Sequence, residues 1–338
     1  MKTRSLVKTI LITGLALTVL YFGGGAIAYG AVSAVVFSRR EVNEDIAYIY
    51  KVRSDYPALS IRSEHSFLSG NNTLRGYLYS AFSPKGLVLA VHGMGSNSDS
   101  DDAQYQQWFL DQGYDVFALD LTCCGNSGGS SFKSLAQSAY DVASCFDYLT
   151  SHNLMKDQFI MVGHSWGGYG IAASLQLGVK ADKVITFSAF DIPLDTMMEY
   201  ARSYAGGIAD FSYPSFALDS YIVQGKDASL SAFDGLKVSN TKALVIHGEE
   251  DNSVKIDGNS LYRRAKDLPN VTTLTLPNVG HAGPWRSTIS LDYVKEVVEP
   301  KLKERSEDKK FFLASIDKEK TSQLSDQVFS KITSFLAE

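Results

Sequence analysis

The sequence predicts an α/β protein built on a mostly parallel central sheet with helices on both faces. Three observations carry this. Short apolar runs at 87–91, 114–119, 158–162, 183–188, 242–247 and 271–276 alternate with stretches of helical spacing. Such near-continuous apolar runs suit strands buried on both faces. One of them, Phe159-Ile160-Met161-Val162, passes through Gly163-His164-Ser165-Trp166-Gly167-Gly168 into Tyr169-Gly170-Ile171-Ala172-Ala173-Ser174-Leu175, a strand, a tight turn and a helix.

Taken in order, the elements begin apart from the rest. Lys2, Arg4 and Lys8 precede an uncharged stretch of 29 residues, Ile10 to Ser38, closed by Arg39-Arg40. A membrane-spanning helix needs about 20 apolar residues. The stretch therefore reads as an anchor, with the N-terminus inside because basic residues lead it. A signal peptide cleaved after Ala26-Ile27-Ala28 is the alternative. Glu41 to Arg53 reads as a short amphipathic helix. Ser63–Leu68 and Thr73–Ala81 flank Ser69-Gly70-Asn71-Asn72, the signature of a hairpin. Helices are expected near 101–112, at 134–151, 166–177 and 256–267, and a terminal one over Leu324–Leu336. Residues 190–238 interrupt the alternation and carry Met197, Met198, Tyr200, Tyr204, Phe211, Tyr213, Phe216 and Tyr221. They read as a compact helical lid. The charged stretch 287–321 has no functional reading.

Chemistry concentrates where apolar runs end. A serine hydroxyl is a poor nucleophile unless held and activated. Gly163 and Gly167 bracket Ser165 in a turn that exposes its hydroxyl, and the Trp166 amide at the next helix's first turn is free to donate. Leu87–Val91 runs into His92-Gly93-Met94-Gly95, a loop that can supply a second donor from the Met94 amide. Lys242–Ile246 ends in His247-Gly248-Glu249-Glu250-Asp251, which places Asp251 just past a strand, with Glu249 and Glu250 as competitors. Val271–Leu276 leads to Gly280-His281. The chain order is thus Ser, Asp, His.

These motifs resemble the α/β-hydrolase fold superfamily, within the group of monoacylglycerol-lipase-like esterases and S33-type serine peptidases. The matching pieces are His92 to Gly95, Asp120 to Gly128, Gly163 to Gly168, Gly248 to Asp251 with Val254, and Gly280-His281. The resemblance implies Ser165 as nucleophile, His281 as base, Asp251 as orienting acid, and the Met94 and Trp166 amides as oxyanion hole. It divides the chain into a basic segment 1–9, an anchor or signal 10–38, a linker 39–60 and a hydrolase domain 61–338 with its lid at about 190–238. One departure stands out. Where the family commonly has Arg-Gly after Asp120, this chain has Cys123-Cys124.

The implied activity is ester hydrolysis through an acyl-enzyme, with peptide hydrolysis or a non-catalytic membrane-tethered binding protein as alternatives. The expected substrate is a small acyl ester or short peptide. No metal-ligand spacing, dinucleotide fingerprint or P-loop occurs, so no cofactor or metal is expected. A net charge of −5 gives no reason to expect nucleic acid. Catalysis is expected outside the cytoplasm, or in secreted form if the signal is cleaved. Because every candidate site residue lies beyond position 90, a chain starting near Glu41 is expected to stay soluble and active.

Overall fold

The computed structural model describes residues 2–100, 102–303 and 309–338, with side chains described from Thr9 onward except at 310. The basic side chains of Lys2, Arg4 and Lys8, and part of the charged stretch 301–310, lie outside the described residues.

Eight strands form one sheet in the order β1-β2-β4-β3-β5-β6-β7-β8. They are β1 Ser63–Ser69, β2 Asn72–Tyr79, β3 Leu87–Val91, β4 Asp115–Asp120, β5 Phe159–His164, β6 Lys183–Phe187, β7 Lys242–Gly248 and β8 Val271–Leu276. The β1–β2 hairpin is antiparallel and joins β4 antiparallel; every later pairing is parallel. Strand alternation divides the core. Leu87, Leu89, Val91, Met161, Val184 and Val245 pack on one face, and Val88, Ala90, Ile160, Val162, Ile185 and Ile246 on the other.

Helices cover both faces. They are α1 Lys2–Val36, α2 Ala103–Asp111, α3 Gln137–Ser151, α4 Trp166–Ala173, α5 Pro193–Ala205, α6 Ile208–Gln224, α7 Ala232–Ser239, α8 Leu261–Ala265 and α9 Asp326–Ala337. α3 and α4 lie on the first face, and α2 and α9 on the second. α5, α6 and α7 occupy the expected lid segment.

Two helical expectations are corrected. Over Glu41–Arg53 only Ile46–Ile49 is α-helical, followed by a 3-10 turn at Arg53–Asp55. Tertiary contacts override the local pattern. The Ile49 carbonyl accepts from Thr321 Oγ1, the Lys51 amide donates to Ser322 Oγ at 2.7 Å, and the Arg286 guanidinium sits 3.7 Å over the Tyr50 ring. In 256–267 the helix starts only at Leu261, because Ser260 caps it by accepting from the Arg263 amide at 3.1 Å.

The same contacts account for the described part of 287–321. Val298, Leu313 and Ile316 form a small core with Ile49. Lys309 and Lys318 pair with Asp45 and Asp55 at 2.7 and 2.5 Å. The segment braces the linker.

The apolar stretch is one helix with two environments. Residues 9–20 of α1 are exposed all round, whereas Tyr29 and Val36 on α1, and Phe37 just beyond it, are buried in the main core. Thr9–Val36 is 28 residues of mean hydropathy 1.9, long enough to cross a bilayer. Arg39, just past the helix, donates to the Ser127 and Gly125 carbonyls at 2.8 and 2.5 Å and to that of Gly129 at 3.3 Å.

Candidate active site

The turn from β5 into α4 holds Ser165 at φ 51° and ψ −113°, a conformation a non-glycine residue adopts only under constraint. The constraint is close packing. A Cβ on Gly167 would lie 2.2 Å from the Val91 carbonyl oxygen, and one on Gly163 would lie 2.7 Å from the Gly167 backbone. Only glycine lets β3, β5 and α4 approach this closely. The Ser165 amide donates to the Phe187 carbonyl at 2.8 Å, which fixes the bend to the neighbouring strand.

Three loops at the carboxyl ends of the strands converge on this serine. His281 Nε2 lies 2.9 Å from Ser165 Oγ, and His281 Nδ1 lies 2.8 Å from Asp251 Oδ2. The other Asp251 oxygen accepts the amides of Ser253 and Val254 at 2.9 and 2.8 Å. Burial pushes the Asp251 carboxyl up. The hydrogen bond and charge of His281, the Val254 amide and His247 outweigh it, and its pKa falls below the usual carboxylate value. The arrangement can accept a proton from Ser165 and hold the resulting imidazolium.

The rival acids stand elsewhere. Glu250 is exposed and faces Lys295 at 3.9 Å, and Glu249 is exposed. Asp191 is buried at the base of the lid, where it accepts from Ser231 Oγ at 2.6 Å and the Phe233 amide at 2.9 Å.

Met94 lies on the loop after β3, and Trp166 directly follows Ser165. Trp166 opens α4, so its N–H has no acceptor within the helix. Met94 belongs to a loop held from several sides. His92 Nε2 accepts the Leu121 amide at 3.1 Å, and its other nitrogen contacts the Gly93 carbonyl at 2.7 Å. Gly93 abuts His164, whose Nδ1 would be 2.9 Å from a Cβ there. The Gly95 amide donates to the Cys124 thiol, whose pKa burial pushes up to about 12. Cys124 thus supports this loop; Cys123 is buried as well, and all three cysteines are free thiols.

Three supporting histidines carry roles that the residue spacing did not predict. His164 Nε2 donates to the His281 carbonyl at 3.0 Å and steadies that loop. His247 Nε2 donates to the Val254 carbonyl at 2.9 Å, beside Asp251. Burial holds the His247 pKa below its ordinary value. His92 ties its loop to the start of the Cys123-Cys124 turn. Adjacency to the motifs was the available signal for all three.

A cleft of about 430 Å³ opens beside His281, lined also by Tyr50, Asn252, Ser253, Gly280 and Lys295. A larger one, about 920 Å³, lies beside the β1–β2 hairpin at Ile61, Phe82 and Gly113 and contains none of the site residues. Among the described residues no cluster of ligands suits a metal ion.

Residues 83–218 match the family model described as serine aminopeptidase, S33. The matched stretch includes Met94, Ser165 and Trp166 and ends before Asp251 and His281. A multifunctional-autoprocessing repeats-in-toxin protein of Vibrio cholerae is 26% identical over 174 residues, covering 48% of this chain and 4% of that protein. An esterase of Pyrococcus furiosus superposes in one crystal form with TM-score 0.55 at 16% identity, covering 89% of this chain and 96% of its own. In another form the TM-score is 0.51 at 19% identity, over 65% and 83%. At these identities the likeness carries the fold. Sheet order, strand–turn–helix geometry and these superpositions give this chain the α/β-hydrolase fold.

Proposed function

We propose that this chain is a membrane-anchored serine hydrolase that cleaves carboxylic esters through an acyl-enzyme. The observation that carries the reading is the continuous relay Asp251–His281–Ser165, with contacts of 2.8 and 2.9 Å. In the mechanism, Ser165 Oγ attacks the substrate carbonyl while His281 Nε2 takes its proton. The Met94 and Trp166 amides receive the oxyanion; loss of one such donor typically costs about 3 kcal/mol. His281 returns the proton to the leaving alkoxide, the ester C–O bond breaks and an acyl-Ser165 remains. Water, deprotonated by His281, then attacks the acyl carbonyl; His281 returns that proton to Ser165 Oγ as the acyl C–Oγ bond breaks, releasing a carboxylic acid and the free serine. Asp251 holds the tautomer and stabilises the imidazolium throughout.

The esterase superposition supports an ester substrate, and the family match supports a peptide bond as the second reading. A panel of acyl esters and aminoacyl amides assayed with the wild type and Ser165→Ala decides. The ester reading expects turnover of esters that vanishes in Ser165→Ala. Cleavage of amides alone would favour the peptidase, and equal turnover without Ser165 would end the assignment.

The anchor belongs to the same proposal: α1 spans a membrane, with the hydrolase domain on the extracytoplasmic side. Packing of Tyr21, Phe22 and Gly25, all ahead of the candidate cleavage site, against Phe211 and Ser215 supports an uncleaved α1. Protease added to intact cells should digest the domain; protection until lysis would place it in the cytoplasm.

A further inference from the structure

The second half of α1 is not a plain tether, because it packs along the lid helix α6. The Tyr21 hydroxyl donates to the Phe211 carbonyl, and the two rings meet edge to face at 5.2 Å. Ser215 Oγ donates to the Phe22 carbonyl at 3.4 Å. Tyr29 meets Phe216 edge to face at 5.0 Å, and Gln224 Nε2 donates to the Tyr29 hydroxyl. At Gly25 the helices nearly touch: a Cβ there would stand 1.7 Å from Ser215 Oγ. The contacts advance together along both helices, so α6 runs alongside α1 in the same direction.

This register sets the depth of the lid. At 1.5 Å per residue, Tyr21 lies about 18 Å and Tyr29 about 30 Å beyond Thr9, in an apolar layer about 30 Å thick. Phe211 therefore falls level with the outer half of that layer, and the α5–α6 turn at Gly206–Gly207 lies about 6–8 Å deeper, near its middle. Their surface fits the depth. Tyr204 is 89% exposed, Ile208 78% and Phe211 74%, an exposed apolar tip. Ile222 and Val223 continue it along α6. The tip's charges, Arg202 and Asp210, neutralise each other at 2.6 Å.

We infer that the α5–α6 hairpin is sunk in the membrane beside α1, clamped there at Gly25, so that the lid opens onto lipid and the substrates are esters dissolved in the bilayer. The inference rests on the anchor reading above. The inner side of the hairpin connects to the site. Met197, Met198 and Phe216 share one core with Trp166. Phe37 contacts Phe132 at 5.2 Å, and Phe132 stacks on Trp166 at 4.8 Å. An acyl chain leaving the leaflet past this hairpin would meet apolar walls on its way to Ser165.

The test uses the full chain in lipid vesicles. A polarity-sensitive fluorophore is attached at Phe211→Cys and, as control, at Asp157→Cys, exposed at the opposite end of β5. The native cysteines are buried and resist labelling. The expected result is blue-shifted emission at 211 that is lost with doxyl-labelled acyl chains, with neither effect at 157. An alkaline wash separates the two claims. Protein that stays in the membrane with a water-exposed label at 211 overturns the lid inference and leaves the anchor standing. Protein that washes off overturns the anchor, and the inference with it. Gly25→Leu, which drives α1 away from Ser215, should lower turnover of a vesicle-embedded long-chain ester while sparing a water-soluble short-chain one. A wild type that prefers the soluble ester would overturn the substrate assignment.

Discussion

Replacing Asp251 by Asn tests the proposed relay with little change in volume. In the native site Asp251 Oδ1 accepts the Ser253 and Val254 amides at 2.9 and 2.8 Å, so an asparagine oxygen keeps both bonds. Its NH2 group then takes the place of Oδ2, 2.8 Å from His281 Nδ1. Two donors cannot face each other, so Nδ1 must become the acceptor and the proton moves to Nε2. Nε2 is the atom 2.9 Å from Ser165 Oγ, and once protonated it cannot take the serine's proton. A wrong-tautomer change of this kind costs about 10⁴ in kcat, or about 5.5 kcal/mol of transition-state stabilisation. KM should change little, because the ground-state contacts persist. Steady-state kinetics on a soluble ester, with circular dichroism to establish folding, measure this. Retention of more than a tenth of the activity, or equal damage from Glu250→Gln, would refute the argument.

Three further predictions follow from packing and charge. His247 is fully buried, and its folded pKa is depressed below the unfolded value near 6.5. The unfolded chain therefore binds the extra proton, and His247 costs stability as pH falls below that value. His247→Gln should flatten the fall in Tm between pH 7 and 5; an unchanged slope contradicts this. Phe216 is buried against Tyr29, so Phe216→Ala should cost about 3–5 kcal/mol, while exposed Tyr204→Ala leaves Tm in detergent unchanged. Equal effects would mean that the lid packing is misplaced. A chain starting at Glu41 loses Tyr29, Val36, Phe37 and Arg39 from the fold, contrary to the expectation from site position alone. It should aggregate or melt lower than a chain starting at Tyr29; equal melting would show those contacts to be idle.

The sheet was legible because buried parallel strands leave continuous apolar runs, and five-residue stretches such as Leu87–Val91 have no other economical reading. The serine turn was legible for a steric reason. Gly163 and Gly167 sit where any Cβ would strike backbone, so the chemistry and the composition coincide. Linkages between distant segments were not legible. Nothing in Glu41–Arg53 announces that Thr321 and Arg286 would hold Ile49 and Tyr50 out of a longer helix. The glycines at 23–25 fit a lipid-embedded helix, yet Gly25 answers to Ser215, 190 residues later. The histidines were visible as neighbours of the motifs, but which nitrogen meets which carbonyl depends on three strands coming together.

The central claim is that Ser165 is an activated nucleophile. Full-length protein is treated with a fluorophosphonate probe, digested and mapped by mass spectrometry, with Ser165→Ala and Asp251→Asn alongside. Stoichiometric phosphonylation is expected at Ser165 alone, with none in Ser165→Ala and labelling slowed by orders of magnitude in Asp251→Asn. Folded wild-type protein that stays unlabelled, or that carries the label on another serine, would contradict it.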